Sequence, residues 1–78
     1  MNTLIINKSF IANDISFRDN SMVISLTDGR IISVPLEWYP KLRDANKDQL
    51  NNWRFIGGGE GIHWEELDED LLVENFLN

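Results

Sequence analysis

Five consecutive positions, Gly57-Gly58-Gly59-Glu60-Gly61, constrain this chain more than any other feature. Glycine enters left-handed backbone without steric cost, so four glycines in five residues mark a bend through angles closed to other side chains. Two short, largely apolar segments, residues 53–56 and 62–64, flank the bend, which brings two extended pieces together as a hairpin. The surrounding stretch, residues 52–70, holds two of the three tryptophans, the only histidine and most of an acidic run. It reads as the keystone of the domain, with Trp53, Gly57, Gly58, Gly59 and Gly61 as structural residues.

Upstream of the keystone, residues 10–17 and 22–26 alternate between apolar and polar. Ile15 and Phe17 share one face, as do Met22, Ile24 and Leu26, which is the period of a half-buried strand. Arg18-Asp19-Asn20-Ser21 between them is turn chemistry. Asp28-Gly29 between two β-rich runs is a strong hairpin signal, because a two-residue primed turn needs positive φ at its centre; both residues are expected to be structural. Residues 31–34 then form a third strand, completing an antiparallel meander whose apolar face must be covered.

Pro35 ends the third strand, and residues 36–42 read as one short helix. Pro40 fits there only within the first turn, where its missing N–H has no intrahelical partner, and Leu36, Tyr39 and Leu42 share a face. Asn46 followed three residues later by Gln49 has the logic of a capping box, predicting a single-turn helix to residue 52. A fourth strand begins at Trp53, residues 62–64 extend again, and Leu71, Leu72, Val73, Phe76 and Leu77 supply a short extended piece and a terminal helical turn. The expected fold class is α+β: a small antiparallel β-meander extended by a later strand and covered by short helices. Residues 10–78 are expected to form a single domain, with residues 1–9 an N-terminal segment that either adds an edge strand or frays.

A chain of 78 residues buries only about 60–65% of the surface its unfolded form exposes, so its stability is marginal and partner binding matters to it. The absence of cysteine excludes a disulfide framework, thiolate metal sites and a cysteine nucleophile. No apolar run reaches the roughly 20 residues of a membrane span, and residues 1–6 lack the basic flank and length of a signal peptide. A cytoplasmic location is expected, and Asn7-Lys8-Ser9 is a chance match to a glycosylation sequon.

The net charge of −6 is unevenly spread. All seven basic residues lie in the first 54 positions beside six acids, whereas from Phe55 onward there are seven acids and no base. This anionic face repels phosphate backbones and steers a basic protein toward it; alternatively it is a solvated face that keeps the protein soluble.

Two features invite a chemical reading. Consecutive glycine N–H groups can cradle an anion, but a phosphate loop opens a helix, whereas this bend leads into strand-like residues and carries Glu60 at its middle. His63 sits among Glu60, Glu65 and Glu66, which suggests a metal site or an acid–base pair; the competing reading is a hydrogen-bonded structural histidine between aromatic segments. Neighbouring strand positions point to opposite faces, and no serine stands in a nucleophile motif. Trp38, Tyr39, Trp53 and Trp64 are core residues or interface anchors.

At Leu26-Thr27-Asp28-Gly29-Arg30, at residues 34–42, at residues 53–59 and at residues 61–70, the chain closely resembles the bacterial domain of unknown function 2442 family. It departs with Glu65 where the family usually has proline, Leu72 where serine is common and Asn75-Phe76 where glycine-leucine is common. The resemblance implies a small α+β domain, sometimes fused to a helix-turn-helix segment and often encoded beside another small protein in an arrangement suggestive of toxin and antitoxin. No active site carries over. The residues present leave no room for the helix-turn-helix, so direct nucleic acid binding is not expected.

These observations converge on a non-catalytic protein-interaction module, antitoxin-like or regulatory. Its expected partner is a small basic protein encoded nearby, docked through His63, Trp64, Glu65, Glu66, Asp68, Glu69 and Asp70. No cofactor, metal or membrane is expected, and a homo-oligomer stays open. The alternative is a small-ligand-binding or enzyme-like domain using the glycine-rich bend and His63.

Overall fold

The computed structural model describes residues 10–77, and the expectation for residues 1–9 lies outside them. Two three-stranded antiparallel sheets share one core. The first contains β1 (Ala12–Arg18), β2 (Ser21–Leu26) and β3 (Ile31–Pro35) in that order. The second contains β4 (Trp53–Ile56), β5 (Gly61–Trp64) and β6 (Glu69–Leu72), also in chain order. The α+β class and the first meander are as expected. The extension is not: β4 pairs with β5 rather than with the meander, because the glycine bend folds residues 61–64 back onto it before any edge of the first sheet is reached.

In the first sheet Met22, Ile24 and Leu26 of β2 face the core, opposite Val34 of β3 and Ile15 of β1. A bulge between Ala12 and Asp14 resets the alternation, so that Ala12 and Ile15, three positions apart, are both buried. The primed two-residue turn lies at Asp19-Asn20, where φ is 52° and 62°. These residue types tolerate left-handed backbone because their short polar side chains bond locally. At Asp28-Gly29 the expectation is corrected. Leu26 N–H donates to the Arg30 carbonyl at 2.8 Å, and Gly29 N–H donates to the Leu26 carbonyl at 3.1 Å. The loop is therefore three residues with Gly29 alone at positive φ (97°). Asp28 fixes that geometry by accepting hydrogen bonds from Arg30 N–H at 3.0 Å and Nε at 2.9 Å.

The single helix expected over residues 36–42 is broken in two. A 3₁₀ turn covers Leu36–Trp38, Tyr39 is extended (φ −131°, ψ 90°), and α1 (Pro40–Arg43) restarts with Pro40 at its first position. Proline pushes the residue before it out of the helical region, which places the break at Tyr39. The capping box is present: Asn46 Oδ1 accepts from Gln49 N–H at 2.8 Å, and Gln49 Oε1 accepts from Asn46 N–H at 3.0 Å, starting α2 (Lys47–Asn51). After β6 a 3₁₀ turn, Val73–Phe76, ends the described chain.

Leu36 and Leu42 from the helical segments cover the meander together with Ile62, Trp64 and Leu71 from the second sheet and Val73 from the turn after it. Trp64 is fully buried, and its indole N–H donates to the Leu50 carbonyl at 2.9 Å, tying α2 to β5. Gly57, Gly58 and Gly59 all have positive φ (60°, 69° and 110°), which explains the triplet. At Gly59 there is a second reason. A Cβ there would lie 2.7 Å from the Ala12 carbonyl oxygen and 2.8 Å from Ile11 Cγ2, so the bend seats directly against the start of β1. Among the described residues no helix is long and apolar enough to cross a membrane.

Candidate functional site on the outer face of the second sheet

Register decides what the second sheet shows to solvent. Trp64 and Ile62 point into the core, so His63 between them points out. Its cross-strand neighbours are Arg54 on β4 and Asp70 on β6, which places a cation, a titratable ring and a carboxylate in one row across all three strands. Glu65, the first residue beyond β5 and two positions from His63, lies on the same face and reaches the ring.

Both ring nitrogens of His63 face carboxylates. Nδ1 meets Asp70 Oδ1, and Nε2 lies 3.0 Å from Glu65 Oε1. Glu65 is also 3.5 Å from Arg54, which closes a network of four charged groups. The Asp70 carboxylate first, and Glu65 second, hold the ring's pKa above its ordinary 6.5. The same ring, with a smaller contribution from Arg54, holds Glu65 below its ordinary 4.5. The ring is thus hydrogen-bonded, but by carboxylates rather than between aromatic groups.

The remaining acids separate by position. Glu66 accepts a hydrogen bond from the Gln49 side-chain amide at 3.0 Å. Asp68 takes left-handed backbone (φ 52°) at the end of the turn, where its carbonyl accepts from Lys41 Nζ at 2.9 Å, leaving its carboxylate exposed. Glu69 does not join the outer face. It pairs across from Trp64, is half-buried, and its charge, after burial itself, helps raise the Tyr39 pKa. Trp64 is likewise withdrawn from the expected docking residues, because a fully buried indole bonded to the Leu50 carbonyl has no surface to offer. Of the other aromatics, Trp53 stacks at a tilt on Phe55 with centroids 4.9 Å apart, Tyr39 meets Phe76 edge-on, and Trp38 is 66% exposed.

A family model described as "Protein of unknown function (DUF2442)" matches residues 12–78. The chain belongs to that family. A crystal structure of a protein of unknown function from Rhodospirillum rubrum ATCC 11170, determined at 2.75 Å resolution, has the same fold. It aligns with a TM-score of 0.77 and 26% sequence identity over 90% of this chain and 87% of that one. A search of curated proteins gave no match.

In this DUF2442 chain the expected ligand-like grouping of His63 with Glu60, Glu65 and Glu66 is replaced by His63 with Asp70, Glu65 and Arg54. Arg54 was outside the expected site. A signal for it exists: the glycine bend pairs Ile56 with Gly61, and counting outward from that pair sets Arg54 opposite His63. The two carboxylates lie on opposite sides of the ring, and among the described residues no group of three or more acidic or histidine side chains converges to hold a metal.

Proposed function

We propose that this DUF2442 chain is a non-catalytic protein-interaction module, antitoxin-like or regulatory, whose acidic C-terminal face docks a small basic protein encoded nearby. The observation that carries the proposal is the gathering of four exposed carboxylates, Glu65, Glu66, Asp68 and Asp70, on the β5–β6 turn and the edge strand that follows. Opposite charge raises encounter rates and discriminates between partners without any catalytic constellation. The small-ligand reading is less well supported. Glu65 occupies the side of the His63 ring where a nucleophile would have to stand, and the glycine bend is accounted for by its backbone angles and by the approach of Gly59 to β1.

The test is co-expression with the neighbouring gene product, using Glu66→Gln combined with Asp68→Asn. These changes remove docking charge while leaving the His63 network intact, and asparagine keeps the left-handed backbone at position 68. Co-purification should weaken in the double variant and with rising salt. Association that ignores both the substitutions and the salt contradicts electrostatic docking, as does the absence of association.

A further inference from the structure

The site carries a second consequence that needs no partner. A neutral imidazole has one N–H and one lone pair, and only imidazolium donates from both nitrogens. Here both nitrogens face carboxylate oxygens, so only the doubly protonated ring satisfies both neighbours. We infer that His63 is a proton-operated clasp: protonated, it ties the β5–β6 turn through Glu65 to the edge strand β6 through Asp70; deprotonated, it releases Glu65, which then shifts toward Arg54.

The geometry says which contact yields. His63 is 17% exposed and fixed within the sheet, and Asp70 is held directly across from it by strand register. Glu65 is 77% exposed, lies beyond the end of β5, and has Arg54 as an alternative cation 3.5 Å away. A ring that loses one proton therefore keeps Nδ1–H toward Asp70 and turns the Nε2 lone pair toward Glu65, where two acceptors repel. The charged groups facing the ring are Arg54 from β4, Asp70 from β6 and Glu65 from the turn; Glu69 of β6 lies on the opposite face of the sheet. The first consequence of proton loss is that the network's formal charge becomes one unit more negative. The second is that Glu65 loses its tie to β5 and β6 through the ring and is left with Arg54 of β4 as its cation. The raised pKa of the ring agrees with this reading, with Asp70 contributing most.

Ring nitrogen and backbone amide NMR on the uniformly labelled protein, followed as pH rises from about 5.5 to about 9, tests the clasp across the histidine range. Both ring nitrogens should be protonated at the low end. At the high end the proton should remain on Nδ1. The amides of residues 65–68 should move with the same midpoint as the ring, while those of β1 and β2 stay still. In Glu65→Gln the ring should still titrate but the turn should stop following it, because an amide can accept from or donate to Nε2 in either state. In Asp70→Asn the Nδ1 preference should be lost and the midpoint should fall. A ring midpoint at or below about 6.5, a proton left on Nε2 in the wild type, or turn amides that ignore the ring overturns the clasp.

Discussion

The two sheets have the same order, the same antiparallel sense and the same number of strands, yet their outer faces differ. In the first sheet the outward positions of the paired strands are mostly Ser16, Ser21, Ser25 and Ser33 with Val23 and the exposed Ile31, and the charged Asp14 and Arg18 lie on the edge strand β1. In the second they form the row Arg54, His63 and Asp70, with Glu65 completing it. A shared core explains why the inner faces are alike: both must bury apolar side chains against the same neighbours. Nothing in folding requires the outer faces to differ. Hydroxyls hydrogen-bond to water at any pH, whereas a histidine between two carboxylates responds to protons and cations. Under the proposed function the first sheet is the scaffold and the second is the contact face.

Breaking the shared core should cost most and should spare neither sheet. Trp64→Ala removes a fully buried side chain and its bond to the Leu50 carbonyl, so a loss of about 3–5 kcal/mol is expected, enough to abolish cooperative urea unfolding in a domain this small. If the first sheet kept its unfolding transition while the second melted, the single shared core would be wrong.

The glycine bend sharpens the comparison at the place where the second sheet touches the first. At Gly58 a Cβ meets nothing within 4 Å, so Gly58→Ala should cost only the left-handed backbone, about 1–2 kcal/mol. Gly59→Ala carries that strain and also drives a methyl into the backbone of β1, adding about 1–3 kcal/mol of overpacking. Equal losses of stability at the two positions would contradict the seating of the bend on Ala12.

The smallest expected effect is the dependence of stability on pH, and its part in the histidine range belongs to the second sheet. His63 has a raised folded pKa, so its contribution is fully present below its ordinary 6.5 and is lost as pH rises through the folded value. Glu65 has a lowered folded pKa, so its contribution is present above 4.5 and is lost as pH falls through the folded value. The network therefore stabilises most between those two limits. His63→Gln should flatten the decline on the alkaline side without altering the acid side contributed by other carboxylates. A decline of unchanged steepness in that variant would place the titrating group elsewhere.

Much of this was legible in the sequence where the determinants are local. The Asn46–Gln49 capping box, the turn at Asp19-Asn20 and the alternation of β2 depend on residues within a few positions of one another. The separation into two sheets was not legible, because alternation shows that a segment is a strand without naming its partner. The Asp28-Gly29 loop was read one residue short, since Asp-Gly serves both loop lengths and the register of Leu26 with Arg30 decides between them. At the candidate site the histidine was recognised, but its chain neighbours Glu60 and Glu66 drew attention that belonged to Asp70 and Arg54. Those two are seven and nine positions away along the chain and directly across in the sheet.

The claim that one sheet is scaffold and the other is the contact face is tested most directly by adding a synthetic oligo-arginine peptide to the labelled protein at low salt and mapping the amide shifts. Saturable changes are expected at β5, β6 and the turn between them, shrinking as salt is raised, with the outer face of β1, β2 and β3 unaffected. Changes confined to the first sheet, or no saturable change at any peptide concentration, would contradict it.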